Sequence, residues 1–519
     1  MLGLIGVILS LVLLIFLAYR GINVILLAPL MALLATLMAG APLLATYTQV
    51  FMPALGKYVV TYFPLFLLGA LFGKLMDDTG SARAIAHSIV DKLGAQRAIL
   101  AIVISCAILT YGGVSLFVVA FAVYPIAAAL FREARIPKRF IPAAIALGSF
   151  TFTMTALPGT PAIQNAIPIP FFGTNSFSAP GLGIIASLIM FGGGVAWLMW
   201  RSQRAMAAGE GYLDGPLMQP KGSKGSKGSK GSKDTTGNGL MPGGAPATGS
   251  DSSASGADTQ SDGETSRVAL KDPDTGQELT DSTSQHRPST LVAYLPIIVV
   301  IVVNFVAVNW ILPALDVSYL ADKKYGGVEL STVAGIWAII MALVVAILLL
   351  IAFNTSRLSN PLKTINEGTY GSFLPIFNTA SEVGYGAVIA ALPAFAIIRD
   401  AVLGISGNPL INLSVAVNAI AGITGSASGG MSIALQTLGA EFRVMAEQQG
   451  IPLDLMHRVT AISSGGFDAL PHNGAVITLL AICGLTHRQS YKDIGVVAIA
   501  IPVAALIVVI ILGTLFGSF

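Results

Sequence analysis

Charge is scarce in this chain of 519 residues: 11% are Asp, Glu, Lys or Arg, against 54% hydrophobic. A mean hydropathy of +0.77 lies far above the soluble average and excludes the soluble fold classes. The net charge of +3 is spread over loops and one hydrophilic insert, which leaves no basic face for nucleic acid. Cysteine is scarce too. Cys106 and Cys483 each sit inside an apolar run and the five His are scattered, so neither a disulfide framework nor a four-ligand metal site is expected. No HExxH, no GxSxG and no nucleophile-base pair is present, which argues against an enzyme and against a bound cofactor. Residues 2–18 lack a basic n-region and an A-x-A cleavage site, and read as a first spanning helix rather than a removed signal peptide.

What the chain has is long apolar runs. Ordinary spans of about 20 residues are expected at 3–19, 22–46, 58–75, 181–200, 291–313, 330–353, 383–399 and 491–517. Residues 98–131 do not fit this scheme: as one helix they would reach about 50 Å, yet they are too short for two spans. A re-entrant hairpin with its tip at Tyr111-Gly112-Gly113 fits, and 408–441 repeats its length with a bend at Gly425-Ser426-Ala427-Ser428-Gly429-Gly430. After each hairpin comes an overlong segment, 140–171 and 453–483. These are broken at Leu157-Pro158-Gly159-Thr160-Pro161 and Leu470-Pro471-His472-Asn473-Gly474, and are expected to be discontinuous helices.

The same pattern is thus written twice. Gly112-Gly113-Val114-Ser115 is followed by Ile136-Pro137 and Ala156-Leu157-Pro158; Gly429-Gly430-Met431-Ser432 is followed by Ile451-Pro452 and Ala469-Leu470-Pro471. Duplicated interruptions of apolar segments point to a transporter's substrate site. Placing 76–97, 132–139, 201–290, 354–366 and 485–492 in the cytoplasm gathers most Lys and Arg there, which makes the halves inverted repeats with both termini outside. The expected fold is an all-α polytopic membrane protein of about 10 full spans plus two hairpins. Its parts are an N-terminal repeat at 1–205, a disordered cytoplasmic linker at 206–290 carrying Lys-Gly-Ser triplets, and a C-terminal repeat at 291–519.

Non-helical backbone at membrane depth needs a surrounding protein or a water-filled cavity, so four breaks imply a polar chamber near the midplane. Ser115 and Ser432 are expected to cap the second arms of the hairpins, Thr160-Pro161 to start one half-helix and Asn473 the other. Four inward N-termini, each worth roughly half a positive charge, would suit an anion. The opposite helix ends present carbonyls that suit a cation, and a co-transported cation offsets the cost of moving an anion into a negative interior. Asp468 and His472 flank the second break four residues apart, and Glu382 stands at the start of the 383–399 span. These three are the titratable candidates. Asn165 and Gln164 face either the cavity or a neighbouring helix, and Glu133, Glu441, Arg443 and Arg458 read as loop or helix-end charges.

Four stretches resemble the gluconate permease (GntP) family, within the broader ion transporter superfamily: Tyr111-Gly-Gly-Val-Ser115, Thr153-Met-Thr-Ala-Leu-Pro-Gly159, Asn378-Thr-Ala-Ser-Glu-Val-Gly384 and, most specifically, Asp468-Ala-Leu-Pro-His-Asn-Gly474. The resemblance covers both membrane halves and leaves out the linker, which departs from the compact family pattern. It implies proton-coupled uptake of a small hydroxy-acid, of the gluconate or 3-hydroxybutyrate type, by a homodimer in the bacterial inner membrane. The hairpins and broken helices would move as an elevator against a fixed scaffold. The expected substrate contacts are Gly112, Gly113, Ser115, Thr155, Gly159, Thr160, Ser428, Gly429, Gly430, Ser432 and Asn473, with Asp468, His472 or Glu382 carrying the proton. A Na⁺-coupled di- or tricarboxylate carrier is the alternative, and an anion channel a more distant one.

Overall fold

A backbone in lipid has no water to bond and must satisfy its amides internally, which helix does. The computed structural model describes residues 2–20, 22–212, 288–471 and 473–519, and no strand occurs among them. The chain begins with α1 (Leu2–Tyr19) and α2 (Val24–Met38). Gly40, at φ +71, and Pro42 end one helix and restart the next. The helix expected to reach residue 46 therefore stops at Met38, and α3 runs from Leu43 to Asp78 through a π turn at Tyr47–Phe51. The 76–97 segment, expected in the cytoplasm, is mostly the amphipathic α4 (Ser81–Leu93), which buries Ala82, Ile85, Ala86 and Ile89. It bends by 106° into the apolar segment that follows.

The hairpin expected at 98–131 consists of α5 (Ala98–Tyr111) and α6 (Leu116–Glu133). The first overlong segment holds α7 (Ile141–Ser149) and then only single turns, Phe152–Thr155, Ile163–Ala166 and Ile169–Phe172. α8 (Pro180–Ala207) closes the first half, and the second opens with α9 (Thr290–Ala314) and α10 (Leu330–Asn354). α11 runs over Pro361–Ala391, far ahead of the expected 383–399. The Gly-, Ser- and Thr-rich stretch before residue 383 looks like loop, but it is helix because it packs along α3. A Cβ at Gly368 would lie 3.0 Å from the Leu71 Cα, and one at Gly384 would strike the Phe51 ring. Small residues that let backbones approach are how helices adhere where apolar burial gives little advantage over lipid. Pro393 follows, and α12 (Phe395–Leu403) leaves at 95°.

The second hairpin is α13 (Pro409–Thr424) and α14 (Ala427–Gln448). Its arms nearly touch: a Cβ at Gly430 would run into the Ala421 backbone. The second broken helix is α15 (Leu453–Ser464) and α16 (Gly474–Ile482), and the chain finishes with α17 (His487–Phe516). α3 packs along α11, which joins one half to the other. Among the described residues five helices, α3, α8, α9, α10 and α17, are each long and apolar enough to cross a membrane alone.

Residues 206–212, expected to belong to the linker, are part of the folded body. Arg139 grips Glu210 with Nε and Nη2 at 2.6 and 3.0 Å, the Lys138 amide donates to the Tyr212 carbonyl at 3.1 Å, and the Arg132 guanidinium lies over the Tyr212 ring. Buried Asp493, at the start of α17, accepts from Arg139, Arg201 and the Trp197 indole, which ties the hairpin junction and α8 to the C-terminal half. The remaining linker positions, 213–287, and His472 lie outside the described residues.

Candidate functional site

Each hairpin tip rests on the break that follows it in sequence. At the first tip Gly113 adopts φ +94, open to glycine at little cost, and a Cβ there would meet the Pro161 ring. The Tyr111 hydroxyl donates to the Pro158 carbonyl at 2.7 Å, and Gly112 is buried against Ile297 of α9. At the second tip the Asn473 Nδ2 donates to the Gly425 carbonyl at 2.7 Å. The breaks also meet each other: Gly465 faces Thr155 so closely that a Cβ would lie 2.9 Å from the Thr155 methyl. Tips and breaks of both halves therefore form one connected cluster.

The helix ends inside this cluster differ from those expected. Ser115 does occupy the N-cap of α6, but its hydroxyl makes no capping bond. Ser432 is not a cap. α14 starts at Ala427 under Ser426, whose Oγ accepts from the Gly429 amide at 3.0 Å, so Gly429, Gly430 and Ser432 lie within the helix. The two Gly-Gly-x-Ser copies thus occupy different places, one at a tip and one in the opening turns of a helix. Thr160 is not a helix start either. The turn after the first break begins at Ile163 under Ala162, and the Thr160 hydroxyl accepts only a long 3.3 Å bond from the Ala162 amide. A single turn carries almost no dipole, so three inward N-termini stand where four were expected. Asn473 is the best of them, with Oδ1 accepting from Ala475 and Val476 at 2.6 and 3.1 Å.

The backbone of the first break is held by a set of hydrogen bonds, with Gln164 Oε1 and Asn304 Oδ1 left unpartnered beside it. Thr155 donates to the Thr151 carbonyl, the Gly159 amide donates to the Ser176 carbonyl, and Asn304 of α9 donates to the Gly159 carbonyl. Asn165, left open between cavity and neighbour, binds the Thr160 and Ser176 carbonyls through Nδ2. Its Oδ1 accepts from Arg458, which is no helix-end charge but is completely buried in α15. The guanidinium also reaches the Ser178 carbonyl through Nε and Nη2 at 3.0 and 2.8 Å, Ser176 at 3.4 Å and Thr155 at 3.5 Å. His457 beside it bonds Thr174 and Asn165. Among the described residues Arg458 has no ion pair. It acts as a five-donor splint from the second half on the broken backbone of the first.

Around the second hairpin the opposite holds. Glu382 lies inside α11, 4% exposed, not at the start of a span or at an interface. Its carboxylate abuts Gly429 and Ser426, so a methyl at residue 429 would occupy the place of Oε2. That oxygen, the Tyr58 hydroxyl of α3 and the Ser432 hydroxyl of α14 are all buried without a hydrogen-bond partner. Tyr58 stands beside Ser432, Thr379 and Glu382, and Thr379 reaches Ser428 at 3.4 Å. Asn418 Oδ1, also unpartnered, presses on Gly466 in the second break. Asp468 is half-buried in that break. Two side chains from α17 hold the neighbouring backbone: His487 bonds the Pro471 carbonyl at 2.8 Å and Tyr491 the Ala469 carbonyl at 3.1 Å.

Comparison with known proteins gives the family. The description "GntP family permease" matches residues 2–191. Over 520 aligned positions the chain is 42% identical to a Bacillus subtilis (strain 168) protein named uncharacterized transporter YxjC, covering 99% of each. The chain belongs to the GntP permease family. It is therefore a membrane transporter and not an enzyme. Within this permease the resembling stretches fall on the features just described. Tyr111–Ser115 is the first tip, Thr153–Gly159 leads into the first break, Asn378–Gly384 is the buried face of α11, and Asp468–Gly474 is the second break.

Sequence reasoning missed Arg458, His457, Asn304 and Tyr58. The one available signal was Arg458 itself, a cation only a few residues into an apolar segment, which is costly enough in a membrane to be a site by default.

Proposed function

We propose that this permease is a proton-coupled symporter of a small hydroxy-carboxylate, of the gluconate or 3-hydroxybutyrate type, in a bacterial cytoplasmic membrane. The observation that carries the reading is the connected cluster of tips and breaks, with inward helix ends at Ser115, Ser426 and Asn473. The amides of a first helical turn have no partner within the helix and suit a carboxylate. Ser428, Gly429, Gly430 and Asn473 are the favoured contacts in the second half, and Gly112, Gly113 and Ser115 in the first. Thr155, Gly159 and Thr160 shape the floor through backbone groups already engaged. Glu382, Asp468 and His472 are the groups through which a proton would couple.

In the same reading the halves are inverted repeats with the hairpins re-entrant, joined by a cytoplasmic linker. The pair α3 and α11 belongs to the scaffold of a homodimer, past which the hairpins and breaks move as an elevator. The contact of the two breaks at Thr155 and Gly465, splinted by Arg458, supports their moving together. Uptake of labelled gluconate and 3-hydroxybutyrate into vesicles, with and without an inward proton gradient, tests the proposal, and no uptake of any hydroxy-acid under either condition refutes it. Transport lost when choline replaces Na⁺ at constant pH would instead favour a Na⁺-coupled di- or tricarboxylate carrier.

A further inference from the structure

The N-terminal end of α14 already has an acid against it. Ser426 caps the helix through the Gly429 amide, and the Glu382 carboxyl of α11 is packed onto Gly429 and Ser426 with Oε2 buried and unpartnered. We propose that Glu382 and the carboxylate of the transported acid compete for this one helix end, so that a proton must bind Glu382 before the acid can bind. The proposal rests on the symport reading and says how the two ions are linked.

Among the described residues no basic side chain approaches Glu382. The ionisable groups on the elements packed around it are Tyr47, exposed Lys57, Tyr58 and Tyr62 of α3, and Tyr385 of α11, which bonds Ser10 of α1. Also on these two helices are Asp77, Lys363, Tyr370 and, where the end of α3 meets the start of α11, an ion-pair group of Lys74, Asp78 and Glu367. α2 carries none, and α14 carries none before Glu441. An ionised Glu382 is therefore balanced only by the positive end of α14, and it spends on itself the field that would hold a second anion. Protonated, it is neutral and offers an O–H to the neighbouring hydroxyls of Tyr58 and Ser432, whose oxygens have no partner. The first-turn amides of Ala427 and Ser428 are then left to an incoming carboxylate. The proton binds as Glu–COO⁻ becomes Glu–COOH on the loading side and leaves by the reverse step once the acid has departed.

The test uses the full chain in lipid nanodiscs, wild type and Glu382→Gln, with gluconate and 3-hydroxybutyrate as probes and thermal stabilisation as the binding signal. Gln copies the shape of the protonated acid. In the wild type, apparent affinity should fall about tenfold per pH unit above the titration of Glu382, and in Glu382→Gln it should be flat. Ser426→Ala should weaken binding and keep the wild-type slope. Infrared difference spectra add a readout that needs no substrate: acidification should raise the carbonyl band of a protonated carboxyl in the wild type and not in Glu382→Gln. A pH slope retained in Glu382→Gln, or the same band in both proteins, overturns the proposal. If neither acid binds at any pH, the hydroxy-acid reading falls and the infrared band alone decides whether Glu382 takes the proton.

Discussion

The two halves solve one problem, a broken backbone inside a membrane, in opposite ways. In the first half the break from Thr155 to Ser178 is splinted: Asn165, Asn304 and Arg458 donate to its carbonyls, and the helices beyond it shrink to single turns, with Gln164 Oε1 and Asn304 Oδ1 left unpartnered. In the second half the helices on the far side of tip and break are longer and capped, while Glu382, Ser432 and Asn418, with Tyr58 of α3 beside them, each keep a buried polar atom unpartnered. A break splinted by a guanidinium is a structural floor, and one lined by an unpartnered carboxyl and hydroxyls can still bind something. Symmetric sequence thus supports asymmetric chemistry.

The largest expected effect lies in the splinted half. Arg458→Met strands the Ser176 and Ser178 carbonyls and Asn165 in a dry interior, and each lost bond to a charged donor is worth about 1.5–3 kcal/mol. Little folded protein should survive detergent extraction, as judged by size-exclusion chromatography. Arg458→Lys should not rescue it, because an ammonium supplies three donors in place of five. A well-folded Arg458→Met would remove the contrast between the halves.

Next comes Asn473→Ala, which removes the cap on two amides and the link to Gly425. A stability loss of about 1–2 kcal/mol is expected from the cap alone, read as a lower thermal midpoint. Counterflow uptake should drop further than this, because the second tip loses its hold on the break. Asn473→Asp should recover the cap and the midpoint but not the uptake.

The caps of the two hairpins give the sharpest comparison. Ser426→Ala should cost about 1 kcal/mol, whereas Ser115→Ala should leave the thermal midpoint nearly unchanged, since only the first of these hydroxyls caps an amide. Equal costs would mean that the hairpins are more alike than their bonding. Smallest of all, Thr160→Ala should shift the midpoint by less than about 1 kcal/mol, for it loses one long bond.

Much of the architecture was legible because its signals are local. Gly112-Gly113 marks the first tip, Pro158 and Pro161 the first break, and Asn473-Gly474 a capped helix start, each through backbone chemistry confined to a few residues. What was illegible depended on partners far along the chain. Glu382 looked like the edge of a span because only the packing of α11 on α3 shows that the polar stretch before it is helix. Arg458 looked like a boundary charge because its acceptors lie some 280 positions away. The repeated Gly-Gly-x-Ser misled for a third reason: close packing and tight turning both require glycine. The first copy turns the chain, and the second, through Gly430, lets α14 lie on α13.

Arg458 carries one more implication, an electrical one. Bonded to neutral carbonyls and an amide rather than to an acid, and without an ion pair among the described residues, it keeps a unit of charge inside the protein. Displacing a unit charge through the full membrane voltage involves about 2.3 kcal/mol per 100 mV. If the breaks shift relative to the bilayer as they work, that arginine travels with them, and the empty carrier should generate a transient current of its own.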